Sequence, residues 1–245
     1  MTRLLLLEIK RSLLDPRYLV LAVVMPVGFY LLFSELFGAH GQRVEGLPQP
    51  LELMVSMAAY GGIWAVFSGT APRIAQERGT GWLRQLRLTP LPGGSVMVAK
   101  VVASMVAALP AMILVCVTAV VAHGVSLDAR TWAELLGALW LGTLPLALLG
   151  FAIGFLVGSE VAYGAVMVLY FGFGAVGGLW MPLSALPAAM QDIGKVLPSH
   201  GLGDVGWKIA AGQVPDTSSL VVLAVWGVAC AIVALVAYRV QSARR

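Results

Sequence analysis

The chain has 245 residues, 59% of them hydrophobic and 11% charged, with a mean hydropathy of +0.88. Soluble domains carry roughly 25% charged residues, so this composition excludes a protein whose whole exterior meets water. The net charge of +4 and the isoelectric point near 9.3 follow from cations that flank apolar runs, and they require no nucleic acid as partner.

The chain opens with "MTRLLLLEIKRSLLDPR", residues 1–17. On a helical wheel Leu5, Leu6, Ile9 and Leu13 share one face, Arg3, Lys10 and Arg17 form a neighbouring stripe, and Pro16 ends the pattern. Two readings stand: a helix lying in the inner membrane interface, or the cytoplasmic start of the first span. Six apolar runs follow, at about 18–36, 53–71, 96–122, 132–157, 161–180 and 220–238. Each is long enough to cross about 30 Å of hydrocarbon as a helix rising 1.5 Å per residue. They are continuously apolar, whereas barrel strands would alternate over about ten residues. The expected fold is therefore an all-α integral membrane protein forming a single transmembrane domain. The first turns are charged throughout and lead into no small-residue cleavage site, so the opening run is expected to remain as a span.

The distribution of cations predicts orientation. Of 16 lysines and arginines, twelve fall at the termini, in the 73–95 connection or at its edge: Arg3, Lys10, Arg11, Arg17, Arg73, Arg78, Arg84, Arg87, Lys100, Arg239, Arg244 and Arg245. Arg43, Arg130, Lys195 and Lys208 fall on the other side. The positive-inside rule then makes the protein multi-pass in the cell membrane with both termini cytoplasmic.

The 73–95 connection contains "QERGTGWLRQLRLTPLP". Trp82, Leu83 and Leu86 share one side of a short helix, Arg84 points away, and Pro90 and Pro92 stop it. Such an apolar face either docks on a partner or anchors in the headgroups. The loop resembles the first cytoplasmic loop of the membrane subunits of type-2 ABC exporters, whose pattern is close to Glu-x-x-x-Gly-Thr-Leu-x-x-Leu-x-x-Thr-Pro. Here the positions are Glu77, Gly81, Trp82, Leu83, Leu86, Thr89 and Pro90, and six of the seven agree, Trp82 standing where threonine is common. A second stretch, "GGLWMPLSALPAAMQDIGKVLPSHG", resembles the segment after the family's fifth span.

The resemblance implies two such permeases, the same or homologous, bound to two cytoplasmic ABC ATPase subunits. The loop would be a coupling helix: Trp82, Leu83 and Leu86 would fill a groove on the ATPase, and Glu77, Arg78, Arg84 and Arg87 would make polar contacts around it. ATP and Mg would be held by the partner, and no cofactor by this chain. No G-x-x-x-x-G-K-[ST] phosphate loop occurs in the sequence, in keeping with a transport subunit that is not itself the enzyme. The resemblance also implies that Pro182, Pro187, Gln191 and Pro198 mark short re-entrant helices over 183–200, which keep an apolar face through Leu183, Leu186, Met190, Ile193 and Leu197. The turn Gly158–Tyr163 would offer a second cytoplasmic contact through Ser159 and Glu160, or be a simple turn capped by Ser159.

Other residues carry weaker expectations. Tyr60, Trp64, Ser68, Tyr163 and Tyr170 form a weakly polar set suited to lining a path for an amphiphile such as a drug or lipid. Gly150, Gly154 and Gly158, and again Gly174 and Gly178, recur every four residues and point to close helix packing within the chain rather than to a dimer seam. Pro26, Pro110 and Pro145 stand inside spans and are expected to kink them. Cys116 and Cys230 lie in spans without metal spacing, and His40, His123 and His200 are scattered over the outer loops, solvated or capping. The rival class is an ion-coupled carrier without an ATPase. It would need acidic groups at mid-depth, whereas Glu35, Glu52 and Glu134 fall near span ends.

Overall fold

The computed structural model describes residues 6, 10, 20–38, 43–44, 46–81 and 93–243. The expected interfacial helix over 1–17 lies outside them except for Leu6 and Lys10, both helical and exposed. A π-helical stretch, Val20–Val24, leads into α1, Met25–Gly38. Pro26 sits at the junction, where its missing N–H cannot serve the carbonyl of Ala22. A two-residue hairpin pairs β1, Arg43–Val44, with β2, Leu47–Pro48, in the register Arg43 to Pro48 and Val44 to Leu47. The long helices are α2, Gln49–Gly79, and α3, Gly93–His123. After them come α4, Ala129–Gly142; α5, Leu144–Leu156; and α6, Ser159–Val176. A 3-10 turn at Leu183–Ala185 precedes α7, Ala188–Lys195, then α8, Pro198–Ala210, and α9, Thr217–Ala243.

Among the described residues, five stretches can cross a membrane by length and composition: α2, Val96–His123 of α3, the α4–α5 pair, α6, and Thr217–Val240 of α9. Ala22–Leu36 is a shorter apolar helix. The chain is an all-α, multi-pass membrane protein. The expected fourth run is two helices. Thr143, wholly buried, gives its hydroxyl to the carbonyl of Trp140 at 2.7 Å, and Pro145 begins the second helix in its first turn, where its missing N–H costs nothing. Before α4, Asp128 caps the helix by accepting from the backbone N–H of Thr131 at 2.8 Å, and the Thr131 bonds hold its carboxyl below the usual range.

α2 is the axis. Its apolar window is 89% buried, against 17% for α9 and 28% for α6. The reason is composition: Ala58, Ala59, Gly61, Gly62 and Ala65 leave little bulk on any face, so α1, α3, α5, α6 and α8 all close on it. Hydroxyls on these faces bond back to their own helix, as Ser56 does to the carbonyl of Glu52 and Ser104 to that of Val101.

Glycine spacing works inside the chain, as expected, at Gly150 and Gly154 and, in the second run, at Gly174, where a Cβ would stand 2.7 Å from a ring carbon of Tyr60. Gly150 and Gly154 of α5 lie against Thr70, Ala71 and Ile74 of α2. A Cβ on Gly154 would stand 2.7 Å from the Ala71 carbonyl oxygen and 2.8 Å from the Ile74 Cβ. Gly158 meets nothing. The Cys116 and Cys230 side chains are packed, not lipid-facing.

The segment expected to form short re-entrant helices over 183–200 divides in two. Residues 183–197 lie largely at the surface, with Met190, Ile193 and Val196 exposed. The deeply buried helix is α8, which extends ten residues beyond the expected limit and packs on α2, α4 and α9. Gly201, Gly203 and Gly206 are why: each faces a side chain of a neighbour or of its own helix at short range. Trp207 donates its indole N–H to the Ser56 hydroxyl at 3.0 Å, and Ser219 donates to the Asp204 carboxylate at 2.6 Å.

Replacing Gly154 by alanine should lower stability by about 1–3 kcal/mol through overpacking against backbone, whereas Gly158→Ala should stay within about 0.5 kcal/mol. Thermal or denaturant unfolding in detergent distinguishes the two.

Candidate functional site

Two constellations stand out, one at the root of the 82–92 connection and one between α1, α2 and α6. Of the residues expected to couple to an ATPase, Trp82, Leu83, Arg84, Leu86, Arg87, Thr89 and Pro90 lie outside the described residues. Glu77, Arg78 and Gly81 are described, and they build the root. At 31 residues α2 rises about 46 Å, well beyond the apolar core of a bilayer, so its last turn stands where charge is tolerated. The helix stops after Gly79: the Thr80 N–H bonds to the Gln76 carbonyl at 2.9 Å, and Gly81 takes φ +77°, which favours glycine.

The two charges before that stop turn inward. Glu77 Oε2 meets Lys100 Nζ of α3 at 2.7 Å, with side-chain exposures of 4% and 3%. Arg78 reaches α5 and donates to the carbonyls of Gly154 at 3.2 Å, Phe155, and Val157 at 3.2 Å. Gly154 and Phe155 lie in the last turn of α5, where carbonyls lack an intrahelical donor and the negative end of the helix dipole favours a cation, and Val157 follows as its extended C-cap. Glu77 and Arg78, expected to reach outward to an ATPase, therefore spend their side chains within the chain. Hydropathy hides this because it scores each charge singly. A signal existed: Lys100 is a lysine eight residues into an apolar helix, and such a cation needs an answering carboxylate.

One residue beyond Val157, Gly158 occupies the cap position of α6 in extended conformation. Ser159 is already helical and makes no cap bond, so the expected Ser159 cap is replaced by Gly158. Ser159 and Glu160 are both exposed, and Glu160 in the first turn complements the helix dipole.

The five residues expected along a substrate path are brought together, but mostly sealed. Tyr60, Trp64 and Tyr170 are at most 1% exposed, and Ser68 and Tyr163 are half-buried. Tyr60 and Tyr170 stack at 3.9 Å between centroids and 11° between planes, Trp64 lies 5.1 Å from Tyr170, and Tyr163 stands edge-on to Trp64 at 6.2 Å. Phe29 and Trp180, not foreseen, complete the cluster, Trp180 edge-on to both Phe29 and Tyr60. The Trp64 indole N–H finds no acceptor among the described residues. Ser68 bonds to its own helix at the Ala65 carbonyl.

Pro182 and Pro187 start the 3-10 turn and α7, Pro198 starts α8, and Gln191 donates to the Leu186 carbonyl at 2.8 Å. His123, expected to be solvated or capping, shares a hydrogen bond with the buried Tyr30 hydroxyl at 3.0 Å, tying α3 to α1. Asp204 was absent from the expected acidic residues because glycine-rich sequence around it reads as loop. Glu52, expected ahead of its span, lies buried in the first turn of α2. Among the described residues no group of three or more His, Cys, Asp or Glu could hold a metal ion.

The fold and the site define a multi-pass helical membrane protein whose most buried span is anchored by charge at one end. The chain belongs to the ABC-2 family: the family described as "ABC-2 family transporter protein" matches residues 32–236. The Bacillus subtilis (strain 168) protein named "Putative transport permease YvfS" is 28% identical over 220 residues, covering 88% of this chain and 87% of that protein.

Tyr170→Ala should cost about 3–5 kcal/mol, the range for truncating a buried aromatic. Tyr163→Ala, half-buried at the cluster edge, should cost less than half as much. Denaturant titration of the purified protein followed by tryptophan fluorescence reads both.

Proposed function

We propose that this chain is the membrane-spanning permease subunit of an ATP-driven ABC exporter that moves an amphiphilic or hydrophobic substrate outward across the cell membrane. In this reading Ala22–Leu36 is the first of six spans and both termini are cytoplasmic. Two ATPase subunits supply bound ATP and Mg, and a second permease, identical or homologous, completes the membrane unit. Trp82, Leu83 and Leu86 seat in the ATPase, with Arg84 and Arg87 around them, and Ser159 and Glu160 make the lesser contact.

The observation that carries the reading is the coincidence of family membership with the geometry at the loop's root. The family-like pattern from Glu77 to Pro90 begins at the one end of α2 that is tied by charge to both α3 and α5. A push on the loop therefore enters the most enclosed helix of the bundle. For the substrate, the support is chemical: an aromatic cluster with an unanswered indole N–H suits a flat or acyl apolar body that carries a hydrogen-bond acceptor.

The test is recovery of an ATPase with the tagged chain. Trp82→Asp combined with Arg84→Glu and Arg87→Glu should lower that recovery about tenfold or more, a loss of at least about 1.4 kcal/mol of association, with unfolding of the chain unchanged. Wild-type protein recovered alone, and transporting independently of ATP, would replace this reading with the ion-coupled carrier.

A further inference from the structure

Glu77 and Arg78 are adjacent, yet they hold different helices. Glu77 grips α3 through Lys100, on the outgoing side of the 82–92 connection, and Arg78 grips the last carbonyls of α5. Val157, the last of those carbonyls, is followed directly by Gly158, Ser159 and Glu160. Both stretches expected to touch an ATPase thus hang from two consecutive residues of α2. We propose that Glu77, Lys100 and Arg78 are positioning residues forming a joint, which makes the α2 end, the α3 start and the α5–α6 turn move as one body when an ATPase moves. This rests on the coupling reading above.

The chemistry of the ties favours a joint over mere packing. Well-packed apolar side chains of similar volume would hold these helices at least as well as a buried ion pair. Dispersion contact, however, fades by a quarter to a half over a gap of about 0.5–1 Å. Coulomb attraction in a poorly screened site falls only as the inverse of distance, so the Glu77–Lys100 pair keeps pulling while the helices shift. The Arg78 fork spreads over three carbonyls, and a planar donor group fixes direction as well as distance. Together they resist both separation and rotation at the point where the loop enters the bundle. Gly154, which lets α5 approach α2 to backbone contact, brings those carbonyls within reach of Arg78.

The experiment uses the permease–ATPase complex in liposomes. Spin labels are attached through Val121→Cys on α3 and Val168→Cys on α6, both exposed, with Cys116 and Cys230 replaced by alanine. The variants are Glu77→Gln, Arg78→Lys, the apolar pair Glu77→Leu with Lys100→Leu, and the exchanged pair Glu77→Lys with Lys100→Glu. The apolar pair keeps the helices packed if the single changes fail to fold. With ATPase recovery and ATP hydrolysis within about twofold of wild type, the α3–α6 label distance should stay constant on adding ATP in the wild type, change in the apolar pair, and become constant again in the exchanged pair. An apolar pair whose label distance stays as constant as that of the wild type overturns the joint. So does an apolar pair that loses the ATPase, since the charges would then be holding the docking face alone. A wild-type chain that recovers no ATPase defeats the coupling reading itself, a result none of the variants can mimic.

Discussion

A charge sealed among apolar helices must be answered by an opposite charge or by backbone dipoles, and α2 ends in one such charge, Glu77, followed by the half-buried Arg78. Glu77 is answered by Lys100 and Arg78 by the end of α5. Removing one member of such a buried pair costs about 3–5 kcal/mol, because it strands the other. These ties decide where the loop can begin. Thr80 and Gly81 stop the helix only after both charges have been placed, so the connection leaves from a fixed point rather than from a fraying end.

The second condition is closeness. An arginine can reach three carbonyls of another helix only if the two backbones are nearly in contact, and α2 and α5 meet that condition through small residues. Gly150 faces Thr70, and Gly154 faces Ala71 and Ile74. The Thr70 hydroxyl bonds to the Val66 carbonyl at 2.6 Å, so even the polar atom on this seam is served within its own helix. Small-residue packing and charge are thus one device: the first sets the distance at which the second works.

Much of this was legible in the sequence. Continuous apolar runs pointed to long helices, because lipid leaves the backbone few alternatives to a helix, although α2 continues to Gly79, eight residues past the expected end of its run. The four-residue spacing of Gly150 and Gly154 foretold close packing within the chain, though not that the partner is α2. The misses share a cause. A helix as rich in glycine as α8 looks like loop when judged by propensity, yet at Gly201, Gly203 and Gly206 the missing side chains are what let neighbours close on it. Thr143 and Pro145 divided a run whose hydropathy is unbroken. Paired charges were the hardest to see, since nothing local in the sequence says that Glu77 faces Lys100 or that Arg78 faces a helix end. Tyr60, Trp64, Tyr163 and Tyr170 form one aromatic cluster, but its burial depends on Phe29 and Trp180, which arrive from distant parts of the chain.

That burial bears on how a path could arise. Tyr60, Trp64 and Tyr170 cannot touch a substrate in this arrangement, for Tyr60 and Trp64 of α2 are buried against Tyr170 of α6. α6, however, is the lightly held partner. It is 28% buried over its span, and it meets α2 mainly through stacked and edge-on rings. Ring contacts of this kind contribute about 0.5–1.5 kcal/mol each beyond area burial and tolerate several geometries, so a shift of α6 meets less resistance than a shift of α5. The first turn of α6 begins two residues after the carbonyl that Arg78 holds. A displacement delivered at the charged end would therefore reach α6 before any other weakly held helix, and the surface it uncovered would be the one carrying the unanswered Trp64 N–H.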